Sequence, residues 1–273
     1  MKVAAIQMVS TADVKLNLEA AESLLREAAA MGAELLVLPE YFCLMGHRDA
    51  DKLAIAEEAG SGMLQERLSD LARSLQVWLV GGTIPLRTEV PNKVTNTCLV
   101  WSPAGEPVAR YDKIHLFKFA TDHEKYDESE VLLPGRNPVA FEVASRDGHQ
   151  WRVGLSICYD LRFAELYRSI DAHGWLVPAA FTATTGQAHW DVLLRARAIE
   201  TQCFVAASGQ GGHHENGRAT WGHSQIVDPW GRVLSVLPQG PGHAMAEWDW
   251  TAMQDIRQRL PALQHRCSWD APT

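Results

Sequence analysis

The stretch Val153-Gly154-Leu155-Ser156-Ile157-Cys158-Tyr159-Asp160-Leu161-Arg162-Phe163 runs as an apolar, strand-like segment up to a cysteine, after which a helix-like pattern begins. A strand-to-helix elbow lifts its side chain clear of the sheet and aims newly opened backbone N–H groups at the same point, so a thiolate and an oxyanion site are built together. Two charged residues also close apolar runs: Glu40 follows Leu35-Leu36-Val37-Leu38-Pro39, and Lys113 sits in Arg110-Tyr111-Asp112-Lys113-Ile114-His115-Leu116-Phe117. A thiol with an ordinary pKa of about 8.5 is only a few per cent ionised at neutral pH, so Cys158 needs a cation or a base to act.

Taken together and in this order, Leu-Pro-Glu-Tyr-Phe around Glu40, Tyr-Asp-Lys-Ile-His-Leu-Phe around Lys113 and Ile-Cys-Tyr-Asp-Leu-Arg-Phe around Cys158 resemble the nitrilase superfamily of carbon–nitrogen hydrolases. The resemblance covers nearly the whole chain. On this reading Glu40 is the general acid/base and Cys158 the nucleophile that forms a thioester. Lys113 holds the negative oxygen of a tetrahedral intermediate together with the backbone N–H of Tyr159. No metal or organic cofactor is needed. The segment Tyr126-Asp127-Glu128-Ser129-Glu130 is similar to the part of the family that carries an additional glutamate. Glu128 matches best, with Glu130 as the alternative.

Two further segments narrow the resemblance. Phe181-Thr182-Ala183-Thr184-Thr185-Gly186-Gln187-Ala188-His189-Trp190 and Trp221-Gly222-His223-Ser224-Gln225-Ile226-Val227-Asp228-Pro229-Trp230-Gly231 look like the branch of amidases acting on α-keto acid amides. Within that branch, Arg-Ala-Ile-Glu-Thr-Gln-Cys and the His-His-Glu-Asn-Gly-Arg loop are similar to the deaminated glutathione amidases. The ω-amidases of 2-oxoglutaramate and the nitrile hydrolases stand as alternatives, and a catalytically silent binding scaffold is the alternative outside enzymes. Tyr159, Arg162 and Thr185 are the substrate-binding candidates by position, Arg162 because an acidic substrate suits a guanidinium fork.

Composition sets wider limits. The 273 residues are 47% hydrophobic, carry a formal charge of −8, and have no Pro/Gly/Ser-rich linker, which reads as a single domain over 1–273. Nucleic-acid binding is excluded for want of clustered Lys and Arg. The start Met1-Lys2-Val3-Ala4-Ala5-Ile6-Gln7-Met8 is too short for a signal-peptide core, and no apolar run approaches the length that crosses a bilayer, so a soluble cytoplasmic protein without membrane partners is expected. Five scattered cysteines without a Cys-x-x-Cys pair argue against disulfides and structural zinc.

The elements that must position these groups alternate. Strand-like Val3–Met8, Glu34–Leu38 and Val77–Gly81 enclose helix-like Asn17–Met31 and Ser61–Leu75, and a hairpin turns at Ser102-Pro103-Ala104-Gly105. The second half repeats this order with the Trp151–Cys158 strand, a Phe163–His173 helix, Trp175–Pro178, a Trp190–Thr201 helix, Cys203–Ser208 and a hairpin at Asp228-Pro229-Trp230-Gly231. The echo predicts an α/β fold of two mixed sheets packed face to face and flanked by helices, the four-layer αββα sandwich that nitrilase-like chains share. Outer helices can pair around a two-fold axis, so a homodimer is expected, with a helical tail in the segment from about 251 to 273 at its interface. Cys43, Cys98, Cys203 and Cys267 read as buried core, Ser156 as packing, His213, His214 and His223 as a solvated loop, and Ala246-Glu247-Trp248-Asp249-Trp250 as a half-buried strand.

Overall fold

Strand β1 (Lys2–Gln7) shows how the layers arise: Val3 and Ala5 enter one apolar cluster while Ala4 and Ile6 enter another. Side chains alternate in direction along a strand, so a strand covered on both faces is an interior layer. The structure, a computed structural model, describes residues 1–120 and 125–267. After β1 come α1 (Val14–Ala30), β2 (Leu35–Val37), α2 (Met63–Leu75), β3 (Trp78–Val80), β4 (Ile84–Arg87), β5 (Val94–Trp101), β6 (Pro107–Asp112), β7 (Lys118–Ala120), β8 (Lys125–Asp127) and β9 (Leu132–Leu133). The second half contributes β10 (Ala140–Ala144), β11 (Gln150–Leu155), α3 (Ala164–Arg168), β12 (Gly174–Ala179), α4 (Ala183–Thr201), β13 (Phe204–Gly209), β14 (Ser224–Val227), β15 (Val233–Leu237), β16 (Gly242–Glu247) and α5 (Trp250–Arg259).

Two mixed sheets result. In the first, β1, β2 and β3 are parallel neighbours, β16 runs antiparallel on the outer edge of β1, and the β5–β6 hairpin follows β3. In the second, β11, β12 and β13 are parallel neighbours, β10 runs antiparallel on the edge of β11, and the β14–β15 hairpin follows β13. The repeat read in the sequence is therefore a repeat of topology. Its two hairpins close alike: Gly105 N donates to Ser102 O at 2.8 Å, and Gly231 N donates to Asp228 O at 2.9 Å.

Val3, Ala5, Leu35, Val37 and Val100 of the first sheet share one buried cluster with Val153, Leu155 and Val177 of the second, which places the main core between the sheets. Leu25, Ala28, Leu64 and Leu68 of α1 and α2 cover the other face of the first sheet, and Trp190, Leu194 and Ala198 of α4 pack on the second. The four-layer order is helix, sheet, sheet, helix, as the pattern predicts. Helix ends are set by local chemistry: Asp13 caps α1 by accepting from Lys15 N and Leu16 N, while Gln76 and Gln202 close α2 and α4 in left-handed conformations.

Three boundaries differ from the sequence reading. The helix expected over 163–173 shrinks to α3, because His173 N donates to Arg152 O at 2.7 Å and its Nδ1 accepts from Arg152 N at 2.9 Å, drawing the chain into extended structure. Helix α4 starts at Ala183 instead of Trp190, since Thr182 provides the N-cap. The strand over 246–250 stops at Glu247, and Asp249 caps α5 with Ala252 N at 3.0 Å. Arg257 Nη2 of α5 donates to Ala172 O at 2.6 Å and, in the tail, Arg266 Nη1 to Arg168 O at 3.3 Å, bonds that tie this segment to the region around α3. Residues 268–273, the rest of the segment expected at an interface, fall outside the described residues.

Gly174 opens β12 directly beneath the ring of Trp248, and a Cβ there would overlap that ring. Trp248 is fully buried and has no room to retreat. Gly174→Ala should therefore cost about 1–3 kcal/mol in urea unfolding, and an unchanged midpoint would contradict this packing.

Candidate active site

Glu40, Lys113 and Cys158 each lie just past a strand, Glu40 after β2, Lys113 after β6 and Cys158 after β11, and the sandwich brings these strand ends together. Lys113 is 1% exposed and its Nζ donates to Glu40 Oε1 at 2.9 Å and to Glu128 Oε1 at 2.9 Å. Glu40, also 1% exposed, accepts from Asn96 Nδ2 at 2.8 Å on Oε1 and from the backbone N–H of Ala180 at 2.9 Å on Oε2. The last contact links the first sheet to the second, because Ala180 directly follows β12.

Asn96, in the middle of β5, holds two of these residues at once: its side chain donates to Glu40 and its carbonyl accepts from Lys113 N at 3.0 Å. Glu128 is fixed from three sides. Tyr41 OH donates to its Oε1 at 2.8 Å, Phe117 N to its Oε2 at 2.7 Å, and Lys113 to both oxygens. Glu130, the other carboxylate weighed from the sequence, is solvent-exposed and its carbonyl accepts from Lys93 Nζ.

Cys158 opens a short 3₁₀ turn, Cys158–Arg162, with φ +48°, a left-handed conformation uncommon for a residue with a Cβ. Asp160 holds it there. Its Oδ2 accepts from Ile157 N at 2.9 Å and Tyr111 OH at 2.7 Å, and its Oδ1 from His115 N at 2.9 Å. One fully buried carboxylate thus ties the cysteine turn to the loop that carries Lys113. The elbow of the sequence reading exists, with a 3₁₀ turn in place of the start of a long helix.

The electrostatics follow from burial and pairing. Burial pushes the Lys113 ammonium down, but the charges of Glu128 and Glu40 outweigh it and hold the group well above the ordinary lysine range. It stays cationic. Burial first, and the Glu40 charge second, push the Cys158 thiol well above its ordinary value, against a smaller opposing pull from Lys113. With its pKa raised in this way the sulfur keeps its proton at neutral pH and ionises only if a nearby base takes it.

A cavity opens beside these groups and is lined by Cys158, Glu40 and Glu128 together with Tyr126, Asp49 and Arg218. Tyr159 and Thr185 also line it, as their positions in the sequence suggested. Arg162 does not: its guanidinium lies 5.2 Å from the Phe181 ring and 5.6 Å from the Tyr159 ring, with Nη1 3.2 Å from His189 Nδ1. The sequence reading missed Asn96, Tyr41, Asp160, Asp49 and Arg218. Tyr41 and Asp160 stand inside the motifs already singled out, and Asn96 is a polar residue within the otherwise buried strand Val94–Trp101.

Two readings of single residues are corrected. The loop containing His213 and His214 is not uniformly solvated: His214 is buried, with Nδ1 2.8 Å from Ser10 O and Nε2 2.8 Å from Thr220 Oγ1, and burial pushes its pKa down. Cys267 is exposed, whereas Cys43, Cys98 and Cys203 are buried. Ser156 is packing, bonded to Tyr167 OH at 2.7 Å. Among the described residues no helix is long and apolar enough to cross a membrane, and no group of three His, Cys, Asp or Glu side chains converges as metal ligands.

Comparison with known proteins places this geometry in context. Residues 2–258 match the family model described as carbon-nitrogen hydrolase. A deaminated glutathione amidase from Synechocystis sp. is 40% identical over 268 residues, spanning 96% of this chain and 97% of that one. Saccharomyces cerevisiae Nit3, a member of branch 10 of the nitrilase superfamily, superposes with a TM-score of 0.83 at 29% identity, covering 96% of this chain and 94% of that one. An amidase variant from Nesterenkonia sp. AN1, in which acrylamide has added at the active-site cysteine, gives a TM-score of 0.77 at 27% identity, covering 96% of this chain and 98% of that one.

The raised thiol pKa has a direct readout. Alkylation of Cys158 by iodoacetamide should keep rising past pH 9 instead of levelling near the ordinary thiol pKa of about 8.5. Glu40→Gln removes the carboxylate charge and should move that midpoint to lower pH. A midpoint that stays put would show that Glu40 does not act on the sulfur.

Proposed function

The chain belongs to the carbon-nitrogen hydrolase family, and from that premise we propose a thiol-dependent amidase whose substrate is deaminated glutathione, cleaved to 2-oxoglutarate and cysteinylglycine. The observation that carries the reading is a buried ammonium held between two carboxylates, Glu40 and Glu128, that line one cavity together with Cys158. The curated relatives at 36% to 40% identity that bear the deaminated glutathione amidase name support the substrate.

The roles follow from what each group is able to do. Glu40 takes the Sγ proton of Cys158 as the sulfur attacks the amide carbonyl carbon, so a C–S bond forms while the carbonyl π pair moves onto oxygen. An ammonium has three N–H donors. In Lys113 two are engaged by Glu40 and Glu128, and the third, with the backbone N–H of Tyr159, meets the oxyanion. Glu40 returns its proton to the leaving nitrogen as the C–N bond breaks. Water, deprotonated by the same carboxylate, then cleaves the thioester, and the proton goes back to sulfur.

Glu128 moves no proton in this scheme. Held by Tyr41 OH and Phe117 N, it keeps Lys113 in place and balances its charge. Thr185 and Tyr159 contact the substrate from the cavity wall, and Arg162 acts through the rings of Phe181 and Tyr159 that it supports.

We place the enzyme in the cytoplasm as a homodimer. Five free cysteines fit a reducing compartment, and the exposed apolar side chains Val192 and Ile199 on α4 and Val233 and Val236 on β15 are candidates for burial against a second copy. Sedimentation at micromolar concentration should give twice the chain mass, and a lone monomer would overturn the dimer.

Purified protein should hydrolyse deaminated glutathione faster than 2-oxoglutaramate, with rapid-quench intact mass showing the acyl group on Cys158. Cys158→Ala should be inactive, and Glu40→Gln should lose about 10²- to 10⁴-fold in kcat. Equal or reversed rates for the two substrates would replace the assignment with an ω-amidase.

A further inference from the structure

The cavity carries a second charged cluster, remote in sequence from the catalytic groups. Asp49 Oδ1 accepts from Lys52 Nζ at 2.9 Å and from Arg218 Nη2 at 2.9 Å, so a single carboxylate serves two cations. Among the described residues this cluster has one surplus positive charge, whereas Glu40, Lys113 and Glu128 together have one surplus negative charge. Of these charged groups, Glu40 and Glu128 line the cavity beside Cys158, and Arg218 lines it with its partner Asp49. A neutral amide belongs beside the thiol, and a substrate carboxylate belongs at the guanidinium.

Of the two cations, Arg218 is the one on the cavity wall. Its guanidinium lies 5.1 Å from the Tyr126 ring, and it is 27% exposed, against 9% for Lys52, which lies over the Tyr41 ring. The loop is held rigid beneath it. Arg218 N donates to Asn216 Oδ1 at 3.0 Å, Asn216 Nδ2 to Gly46 O at 2.7 Å, and buried His214 is bonded to Ser10 and Thr220. A preplaced guanidinium loses little freedom when it takes a ligand, and its fork matches a carboxylate.

We infer that Arg218, oriented by Asp49, is the specificity-determining residue that binds a carboxylate of the substrate and so sets which amides reach Cys158. The inference rests on the amidase reading above. Deaminated glutathione offers two carboxylates, one on the α-keto acid and one on the terminal glycine, and the test separates them.

Three substrates would be compared by kcat/KM: deaminated glutathione, its analogue with the glycine carboxylate replaced by a carboxamide, and its analogue with the α-keto carboxylate replaced likewise. Wild-type protein should lose about 10- to 100-fold with the analogue that lacks the bound carboxylate. In Arg218→Gln that penalty should fall to near one, and in Arg218→Lys, which keeps the charge without the fork, it should be intermediate. The penalty is a ratio within each protein, so a partly unfolded variant still reports it. Penalties for both analogues that are the same in Arg218→Gln as in wild type would overturn the inference while leaving the amidase reading intact. A wild type that hydrolyses none of the three would instead remove the amidase reading, and this inference with it.

Discussion

A lysine with 1% exposure is tolerable only because two carboxylates neutralise it, and the arrangement of this molecule turns on that requirement. An ammonium left alone at such depth would cost far more than a domain's net stability or would shed its proton. Pairing solves the problem and creates another, since two carboxylates around one cation leave a surplus negative charge in an enclosed place. Asn96, Tyr41 and the backbone N–H groups of Phe117 and Ala180 absorb that charge as hydrogen-bond donors. The surplus also bears on Cys158, whose thiol keeps its proton beside Glu40.

The duplicated topology explains how residues so far apart in sequence meet. Each half presents three parallel strands followed by a hairpin, and parallel strands ending at the same edge release their loops at one end. Glu40 leaves the first sheet after β2 and Ala180 leaves the second after β12, the corresponding strand, and the two are in hydrogen-bond contact. Asp160 adds a second tie between the halves through Tyr111 and His115. The loops that carry Glu40, Lys113 and Cys158 are thus cross-braced by buried polar bonds.

Much of this was legible in the sequence because it follows from period and order. Alternating apolar strands and helices, and hairpins with the same turn chemistry, predicted the layered fold, and Glu40, Lys113 and Cys158 each stood at the end of an apolar run. What stayed hidden was pairing across the sandwich. Nothing in one chain's spacing says that Asn96 faces Glu40 or that Asp49 lies near Arg218, 169 positions away. Choosing Glu128 over Glu130 likewise needed the 3₁₀ turn Glu128–Glu130, which directs neighbouring acids to opposite environments. His214 was misjudged because a Gly-rich loop looks wet on paper, although its imidazole closes a buried bridge.

The protonated state of Cys158 has a bearing on survival as well as reactivity. Peroxide and disulfides are attacked by thiolates, and a sulfur that retains its hydrogen is a poor reductant for either. Keeping the sulfur undissociated slows its oxidation to sulfenic acid and its capture as a mixed disulfide by small-molecule disulfides. The same burial that slows ionisation thus gives the molecule a measure of oxidative tolerance.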